Sequence, residues 1–523
     1  MRIQRNTIIT LVVFIFIAAL LIIFESRANF PDPDSFYHAK MATIIRDQGF
    51  IETFPWFQWT DLKNTYVNPH LLYHVLLIPF VTVFNPLVGI KISAVIFGLL
   101  AFLAIYLAAR SFKAPHPWLF PLAAALSQSF IFRMSLPRAP ALSVVVLIMA
   151  TWAMMKKRTK TLFFVSIIFA WLYHGWPIIF LSLGALFVAD FLTSTINREK
   201  SFWHLFKKTI SRQKENIAAT SAGILAGMVI NPYFPENIAF SVLDIFKIGV
   251  VNYQSLLPVG QEWFPISLGG FLTGCFPALL VTGLTLAFFV PGLISNKKIP
   301  PFDQTVSIFT FLFLAGGYSV LCFKANRYVE YAVPFMVLEA AVLMPFTISF
   351  WQQELWPVLN EVLKKGRIKK IAIITLLSIT ILGLAAGAIQ TTTGSNDYYQ
   401  AKQYEPATEW IKNHVPAGEN VFHNSWDYSL ILWYLDDTHY YLAGLDPTFM
   451  YDYNKEDYES WWKLSTGEDK DVSKIIYLFK ARVVIIDKRF GTAETFGKNL
   501  ITSGLFEKVV ENEWLEVYAD TTL

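Results

Sequence analysis

The segment IITLVVFIFIAALLIIF (8–24) is an uninterrupted apolar run of the length that crosses a bilayer. A helix needs roughly 17 to 25 apolar residues to span the hydrocarbon core, and windows of this length recur along the chain up to about residue 390. The composition agrees, because 54% of the 523 residues are hydrophobic, only 16% are charged and the mean hydropathy is +0.44. The sequence therefore predicts a polytopic α-helical membrane protein.

About eleven apolar windows qualify as transmembrane helices, and thirteen is the upper count. They lie near residues 7–25, 87–109, 117–132, 141–155, 162–175, 177–194, 216–232, 269–293, 306–323, 330–350 and 371–389. Loops on the cytoplasmic side are enriched in Lys and Arg. The basic breaks between these windows all fall on one side if the N-terminus is cytoplasmic. An odd number of spans then places the C-terminal region outside the cell membrane.

The chain changes character near residue 393, which divides it into two predicted domains. Residues 1–392 form the transmembrane domain, and residues 393–523 are charged, aromatic and turn-rich. The helical pattern YEPATEWIKNHV (404–415) and the buried-strand pattern ARVVIIDK (481–488) alternate with turns. This pattern predicts an extracytoplasmic soluble α/β domain.

Cysteine content and charge exclude several classes of protein. Cys275 and Cys322 both lie within apolar runs, so neither a disulfide framework nor a cysteine metal site is supported. The net charge is only +4, and the basic residues cluster in the loops between spans. No nucleic-acid partner is indicated.

The segment PDPDSFYHAK (31–40) places two carboxylates where the first span meets water. Asp32 and Asp34 could bind a divalent cation or act on a sugar phosphate, since hard cations prefer oxygen ligands. The alternative is a solvated Asp-Pro turn. Helical spacing places His38 and Lys40 about one turn beyond Asp34.

Histidines form a second group in the predicted outer segments. His70 and His74 are spaced i, i+4 and share one helix face, which suits metal or phosphate binding. They could equally anchor an amphipathic helix at the membrane surface. His174 lies in the short outer break LYHGW (172–176) and is a further candidate.

Two arginines lie at the predicted outer ends of spans. The enrichment of basic residues in cytoplasmic loops does not account for arginines on this side. Arg138 and Arg327 could bind phosphate through their bidentate guanidinium groups. The alternative is snorkelling to lipid phosphates. Glu262 lies in a loop between spans beside Trp263, which suits the interface, and it could be merely solvated.

The soluble domain holds its polar candidates after predicted strands. Ser425 and Asp427 fall in the first turn of a predicted helix, where capping alone could explain them. Asp446 lies at the tip of a second strand-and-turn pattern.

Taken in order, these motifs resemble those of the oligosaccharyltransferase catalytic subunit, in its bacterial and archaeal single-chain form, within the GT-C glycosyltransferases. DSFYHAK (34–40) is similar to the family's first acidic motif, and Glu262 to its external-loop glutamate. RYVEYAVP (327–334) is similar to its outer arginine motif, and SWDYS (425–429) to its W-W-D-Y-G signature. The resemblance covers nearly the whole chain.

The resemblance implies an enzyme that transfers a sugar or oligosaccharide from a polyprenyl-phosphate or diphosphate donor to a protein, lipid or glycan acceptor. The chemistry needs a carboxylate that faces the acceptor and positive charge that faces the leaving phosphate. The roles it implies are Asp34 and Glu262 in catalysis, Arg327, Arg138 and Lys40 at the phosphate, and Trp426, Asp427 and Tyr428 at the acceptor. Asp34, Glu262 and His38 would hold a divalent cation such as Mg²⁺ or Mn²⁺, should one be used.

The sequence departs from the family pattern in three places. The second acidic motif is degenerate, because RAPALS (138–143) contains no acid, and serines replace one tryptophan and the glycine of the signature at Ser425 and Ser429. These departures leave two alternatives to a general GT-C transferase. One is an oligosaccharyltransferase proper that N-glycosylates Asn-x-Ser/Thr sequons, and the other is a non-catalytic protein that binds or transports polyprenyl lipids.

Overall fold

The computed structural model describes residues 2–196, 201–251, 253–296, 300–350, 352 and 399–523. The chain divides into two compact units. The first unit comprises Met1–Ser26, Lys91–Ile230 and Glu262–Asn396, and the second comprises Arg27–Ile90, Asn231–Gln261 and Asp397–Leu523. The second unit therefore joins two segments from the N-terminal half of the chain to the C-terminal region, whereas the sequence suggested a single boundary near residue 392.

Helices dominate the described chain before residue 351. They are α1 (Arg2–Glu25), α2 (Asp34–Gln48), α3 (Leu71–Val83), α4 (Pro86–Ser111), α5 (Leu119–Leu126), α6 (Gln128–Ser135), α7 (Pro140–Met155), α8 (Thr159–Leu172), α9 (Ile179–Ile196), α10 (Phe202–Val229), α11 (Glu236–Leu243), α12 (Leu268–Gly274), α13 (Phe276–Asn296), α14 (Phe302–Cys322) and α15 (Val329–Phe350). Short 3₁₀ turns occur at Asp61–Lys63, Trp176–Ile178, Gln261–Trp263 and Asn326–Tyr328, and Asp244–Val251 is π-helical.

Five helical segments of the described residues are long and apolar enough to cross a membrane. They are Asn6–Glu25, Pro86–Ser111, Trp176–Ile196, Phe302–Cys322 and Asn326–Ile348. The count rises to seven if each of two bent pairs forms one span, α6 with α7 at 110° and α12 with α13 at 82°. These helices support a multi-pass membrane protein, although they do not reproduce the predicted count of about eleven.

The predicted spans differ from the helices for identifiable reasons. The window at 117–132 is interrupted at Ser127, whose backbone is extended (φ −79°, ψ 100°) and separates α5 from α6. The Ser127 hydroxyl donates to the Ala123 carbonyl at 2.9 Å and accepts the Ala278 N–H at 3.2 Å, which fixes this break. Helix α8 has only 14 residues, and the first half of α10 is polar. The window at 371–389 lies outside the described residues.

The first unit is built from closely packed helix pairs, among them α8 with α10, α14 with α15, α13 with α15 and α9 with α14. Gly223 permits the closest approach of α10 to α8, because a Cβ atom there would lie 2.5 Å from the Phe163 carbonyl oxygen. Helix α15 also packs against α6 and α7, and the ends of these three helices carry the charged residues described below.

The second unit contains a five-stranded mixed sheet in the order β2–β1–β3–β5–β4, as the α/β pattern predicted. Its strands are β1 (Asn420–His423), β2 (Tyr440–Tyr441), β3 (Ala481–Asp487), β4 (Phe506–Glu511) and β5 (Leu515–Asp520). Strands β2, β1 and β3 are parallel, and β5 runs antiparallel to β3 and β4. Its helices are α16 (Ala401–His414), α17 (Ser429–Leu435), α18 (Pro447–Tyr453), α19 (Lys455–Ser465), α20 (Ser473–Tyr477) and α21 (Ala493–Ser503).

Asn424 joins the ends of the two central parallel strands. Its side-chain amide donates to the Asp487 carbonyl at 3.3 Å and accepts the Asp487 backbone N–H at 2.9 Å. The Tyr428 hydroxyl donates to the same Asn424 oxygen at 2.8 Å. The loop that follows β1 is therefore held at the sheet edge by buried hydrogen bonds.

We expect Asn424→Ala to lower the melting temperature of the full chain in detergent. The change leaves the buried Asp487 N–H without its acceptor, which costs about 1–3 kcal/mol. Asn413→Ala, at an exposed position of α16, is the matched control. Equal melting temperatures for the two variants would show that Asn424 does not hold this loop.

Candidate functional site

The first unit gathers three guanidinium groups and two carboxylates, which we call the arginine cluster. Arg133 lies in α6 and Arg138 in the break between α6 and α7. Arg327 lies in the 3₁₀ turn before α15, and Glu330 lies in the first turn of α15. Glu262 comes from the 3₁₀ turn Gln261–Trp263. Three separate stretches of the chain thus bring their charged groups to one place.

Glu262 is at the centre of the arginine cluster. Its Oε2 atom accepts from Arg133 Nη1 at 2.8 Å and from Arg138 Nη1 at 3.1 Å. Its Oε1 atom accepts from Arg138 Nη2 at 3.3 Å and lies 3.2 Å from Arg327 Nη1. Both carboxylate oxygens are thereby occupied by guanidinium groups.

Aromatic and acidic neighbours fix the orientation of the other arginines. Glu330 Oε2 accepts from Arg133 Nε at 3.2 Å and from Arg133 Nη2 at 3.0 Å. The Arg327 guanidinium lies 4.3 Å over the Trp263 ring and donates to the Tyr173 hydroxyl. The rings of Tyr173 and His174 are 4.6 Å apart, so His174 borders the same cluster.

The arginine cluster carries one net positive charge, since three guanidinium groups face two carboxylates. Arg133 and Arg327 are buried, and Glu330 is fully buried. Burial alone would raise the pKa of Glu262, but the charges of Arg138, Arg327 and Arg133 hold that pKa well below its usual range. Glu262 is therefore an ionised carboxylate at neutral pH, and its negative charge is paired with the surrounding guanidinium groups.

The predicted metal set does not fit this arrangement. The two Glu262 oxygens already bind guanidinium groups. In the part of the chain that the structure describes, no group of three or more His, Cys, Asp or Glu residues is placed to hold a metal ion.

In the second unit, Asp34 is the first residue of α2, one residue beyond Pro33. Asp32 lies two residues earlier, in the turn that leads into this helix. Lys40, in the same helix, forms an ion pair with Asp437 at 2.8 Å. The predicted helical spacing is confirmed for His38, which lies one turn after Asp34 and is buried.

His38, His74 and Asn68 form a buried hydrogen-bond chain, which we call the histidine relay. His38 Nδ1 lies 2.7 Å from His74 Nε2, and His74 Nδ1 lies 2.9 Å from Asn68 Oδ1. The His70 backbone N–H also donates to Asn68 Oδ1, at 3.0 Å. His70 precedes α3 and His74 lies in its first turn, with ring centroids 6.1 Å apart.

The histidine relay defines the tautomers of both rings. A backbone N–H can only donate, so its partner on Asn68 is an oxygen, and His74 Nδ1 must donate to that oxygen. In neutral His74 the Nε2 atom is then an acceptor, and His38 Nδ1 donates to it. A neutral His38 consequently carries its lone pair on Nε2.

The loop after β1 contains the predicted signature residues. Asp427 accepts from Ser425 Oγ at 2.7 Å and from the Tyr399 hydroxyl at 2.7 Å. Burial raises the pKa of Asp427, and these two hydrogen bonds offset part of that rise. Trp426 Nε1 donates to the Pro258 carbonyl at 2.9 Å, and both Trp426 and Asp427 stay partly exposed. The Tyr428 side chain is fully buried, so it supports the loop from behind.

Contacts within the second unit connect this loop with the Asp34 helix. Tyr399, which donates to Asp427, pairs through its backbone with Phe30 in an isolated bridge just before α2. Helix α17, which follows the loop, packs on α2, with the Phe36 and Tyr434 ring centroids 5.6 Å apart. Asp34 and the signature loop are therefore parts of one compact unit.

Asp446 lies apart from these groups in the chain and has a local role. Its side chain accepts the Thr448 N–H at 2.8 Å and caps α18. The predicted turn at this position is thus a helix N-cap.

Arg133 and Glu330 are members of the arginine cluster that we did not predict. Glu330 lies three residues after Arg327 within RYVEYAVP, and Arg133 lies five residues before Arg138. A charged residue within an apolar helical pattern is the signal that both share. The helical spacing of Arg327 and Glu330 would have placed them on one face.

Comparison with known proteins identifies a fold. No protein-family model and no curated protein matches this chain. Solved structures do match, and they are GT-C membrane glycosyltransferases. Their identity to this chain is only 12 to 13%, so the likeness establishes the GT-C fold.

The apo crystal structure of the Archaeoglobus fulgidus oligosaccharyltransferase aligns with 95% of this chain and 73% of its own, at 13% identity and a TM-score of 0.60. AglB from the same organism, in complex with an inhibitory peptide and a dolichol-phosphate, aligns over 95% and 72% at 12% identity and a TM-score of 0.58. ArnT from Cupriavidus metallidurans, bound to undecaprenyl phosphate, aligns over 97% of both chains at 12% identity and a TM-score of 0.55. A further structure of the A. fulgidus enzyme, with a TM-score of 0.52, contains Zn and sulfate.

The histidine relay predicts a pH dependence of stability. Burial, together with the charge of His70, holds the pKa of His74 well below its usual range. The unfolded chain therefore takes up a proton below a pH of about 6.5 that the folded chain does not. Stability from this group is present above that pH and is lost as the pH falls, by about 1.4 kcal/mol per pH unit.

We expect His74→Gln to reduce the fall in melting temperature between pH 7 and pH 5, because glutamine keeps a donor and an acceptor but does not titrate. His414→Gln, at an exposed position of α16, is the control and should leave the fall unchanged. An identical pH profile for wild type and His74→Gln would contradict the relay.

Proposed function

We propose that this chain is a membrane glycosyltransferase that moves a sugar or oligosaccharide from a polyprenyl-phosphate or diphosphate donor to an acceptor on the extracytoplasmic side. The observation that carries the proposal is the arginine cluster, in which three guanidinium groups share two carboxylates within a GT-C fold. Guanidinium groups suit phosphate oxygens in geometry and charge. The lipid phosphates bound to AglB and ArnT support this class of donor.

The reaction needs positive charge at the leaving phosphate. An acceptor oxygen or nitrogen attacks the anomeric carbon of the sugar, and the bond from that carbon to the phosphate oxygen breaks. The phosphate leaves with the electron pair, and its growing charge is stabilised by Arg327 and Arg138. Glu262 holds these side chains in an orientation fixed before the donor binds. Because the guanidinium groups are already oriented, the reaction needs less free energy to rearrange them.

The proton released by the acceptor needs a base. Asp34 keeps the role that the resemblance implies, since it is a carboxylate at the start of α2 with Lys40 in the same helix. Lys40 would contribute further positive charge for the donor. Its ion pair with Asp437 would then have to be exchanged for the phosphate.

N-glycosylation of Asn-x-Ser/Thr sequons is the second candidate. It is favoured by the partial exposure of Trp426 and Asp427, which match two residues of the family signature. The replacement of the first tryptophan by Ser425 weakens this candidate. A sequon peptide, with a matched peptide that lacks the Ser/Thr, is therefore the first acceptor to compare with lipid and glycan acceptors.

We expect Arg138→Gln to reduce kcat/KM by about 10- to 100-fold, because it removes charge-assisted hydrogen bonds of about 1.5–3 kcal/mol. The full chain is reconstituted in phosphatidylcholine vesicles and supplied with labelled polyprenyl-phosphate and polyprenyl-diphosphate sugars. Asp34→Asn should lose turnover and retain undecaprenyl phosphate in native mass spectrometry. Lys324→Gln, at an exposed position near Arg327, is the control.

Wild-type protein that retains undecaprenyl phosphate but releases no sugar from any donor would favour the non-catalytic alternative. Wild-type activity that Asp34→Asn leaves unchanged would remove Asp34 from the reaction. Full activity of Arg138→Gln would remove the arginine cluster from it.

We also expect transfer to continue at an unchanged rate after treatment with EDTA. The positive charge for the leaving phosphate would come from guanidinium groups, since the Glu262 oxygens are engaged by Arg133, Arg138 and Arg327. The measurement is the initial rate with EDTA and after addition of Mg²⁺ or Mn²⁺. Loss of activity in EDTA with recovery in either cation would contradict this part of the proposal.

A further inference from the structure

The first unit contains a cavity of about 280 Å³ at the helix ends opposite the arginine cluster. Arg138 precedes α7, whereas Lys157 follows that helix and lines the cavity. Helix α7 has 16 residues, so these two positions are about 24 Å apart along its axis. Arg327 likewise follows α14, whereas Phe302 begins α14 and lines the cavity. The cavity is therefore distinct from the site proposed above.

One wall of the cavity is a fixed polar network. Asp190 in α9 is buried, and it accepts from Arg212 Nε at 3.2 Å and from Gln213 Nε2 at 2.7 Å. Arg212 also donates to Ser194 and lies 5.0 Å over the Phe302 ring. The charges of Asp190 and Arg212 thus balance each other within the wall.

The other charges of the cavity favour an anion. Lys157 and Lys208 line it and contribute two positive charges, against one negative charge from Asp303. Lysine binds phosphate as a compact point charge. The sequence next to these lysines is also basic, because KKRTK (156–160) and KKTISRQK (207–214) each contain four basic residues.

The remaining lining is apolar, which suits a ligand with an apolar part beside its phosphate. Met154, Leu186 and Val306 contribute this surface. The nearby start of α10 exposes Phe202 and Trp203, at 60% and 68%. Exposed aromatic side chains at a helix end are typical of the membrane interface.

We propose that this cavity binds the phosphate of an anionic phospholipid headgroup, with Lys157 and Lys208 contacting the phosphate and the apolar wall contacting the glycerol. Basic pockets between transmembrane helices commonly bind lipid headgroups in this way. The lipid would tie α7, α9, α10 and α14 together at the basic face of the unit.

The test uses the full chain in phosphatidylcholine nanodiscs that contain a minor fraction of phosphatidylglycerol. Native mass spectrometry measures how much phosphatidylglycerol stays bound after the protein is released from the disc. The double variant Lys157→Gln with Lys208→Gln should retain at least about 10-fold less, as expected for the loss of two charge-assisted contacts. The control variant, Lys160→Gln with Lys207→Gln, removes the same charge from exposed positions off the cavity.

Monodisperse elution and a wild-type melting temperature establish that both variants are folded. Retention that falls only in the cavity variant supports the proposal. Equal loss in both variants would show attraction to the basic face in general and would overturn the proposal. Displacement of the lipid by equimolar inorganic phosphate or glycerol 3-phosphate would also overturn it, because the cavity would then bind soluble phosphate.

Discussion

The described part of the first unit places five charged groups at the ends of apolar helices, largely shielded from water. The rest of this unit depends on the arrangement that stabilises these charges. An isolated buried charge costs several kcal/mol, and a buried pair offsets that cost only when its geometry is good and its other hydrogen bonds are made. Glu262 meets this condition because both of its oxygens pair with guanidinium groups, and Glu330 pairs with Arg133 through one oxygen. Because the five residues come from three separate stretches of the chain, their pairing also fixes the break before α7 and the start of α15.

The same constraint explains which parts of the fold and site could be read from the sequence. Arg138, Arg327 and Glu262 were predictable because each interrupts the apolar pattern at a span end. Ionisable groups at such positions tend to mark functional sites. Arg133 and Glu330 were missed because they lie in the end turns of helices; helical spacing could have placed Glu330 with Arg327, but only packing between helices brings Arg133 to the same centre. The apolar pattern likewise predicted helices without showing that Ser127 divides one window into two.

The second unit shows a different limit of sequence reasoning. The alternation of helix and strand patterns was enough to predict an α/β region, and hydrogen-bonded strands confirm it. The pattern could not show that residues 27–90 and 231–261 belong to the same compact unit. The i, i+4 spacing of His70 and His74 suggested ligands on one helix face. In the structure His74 instead bonds to Asn68 and His38, and Asn68 carries no pattern that marks it.

The degenerate second acidic motif and the occupied Glu262 carboxylate have one physical explanation. A divalent cation and a guanidinium group compete for the same carboxylate oxygens. A site that bound both would need a separate carboxylate for each. Where the family pattern has an acid, this chain has RAPALS (138–143), and its first residue, Arg138, bonds to both oxygens of Glu262. Under the proposed function, Arg138 would supply a fixed positive charge beside Glu262 where the resembled family has an acid. Phosphate chemistry can use either source of charge, but the guanidinium is covalently part of the chain and does not depend on the concentration of free metal.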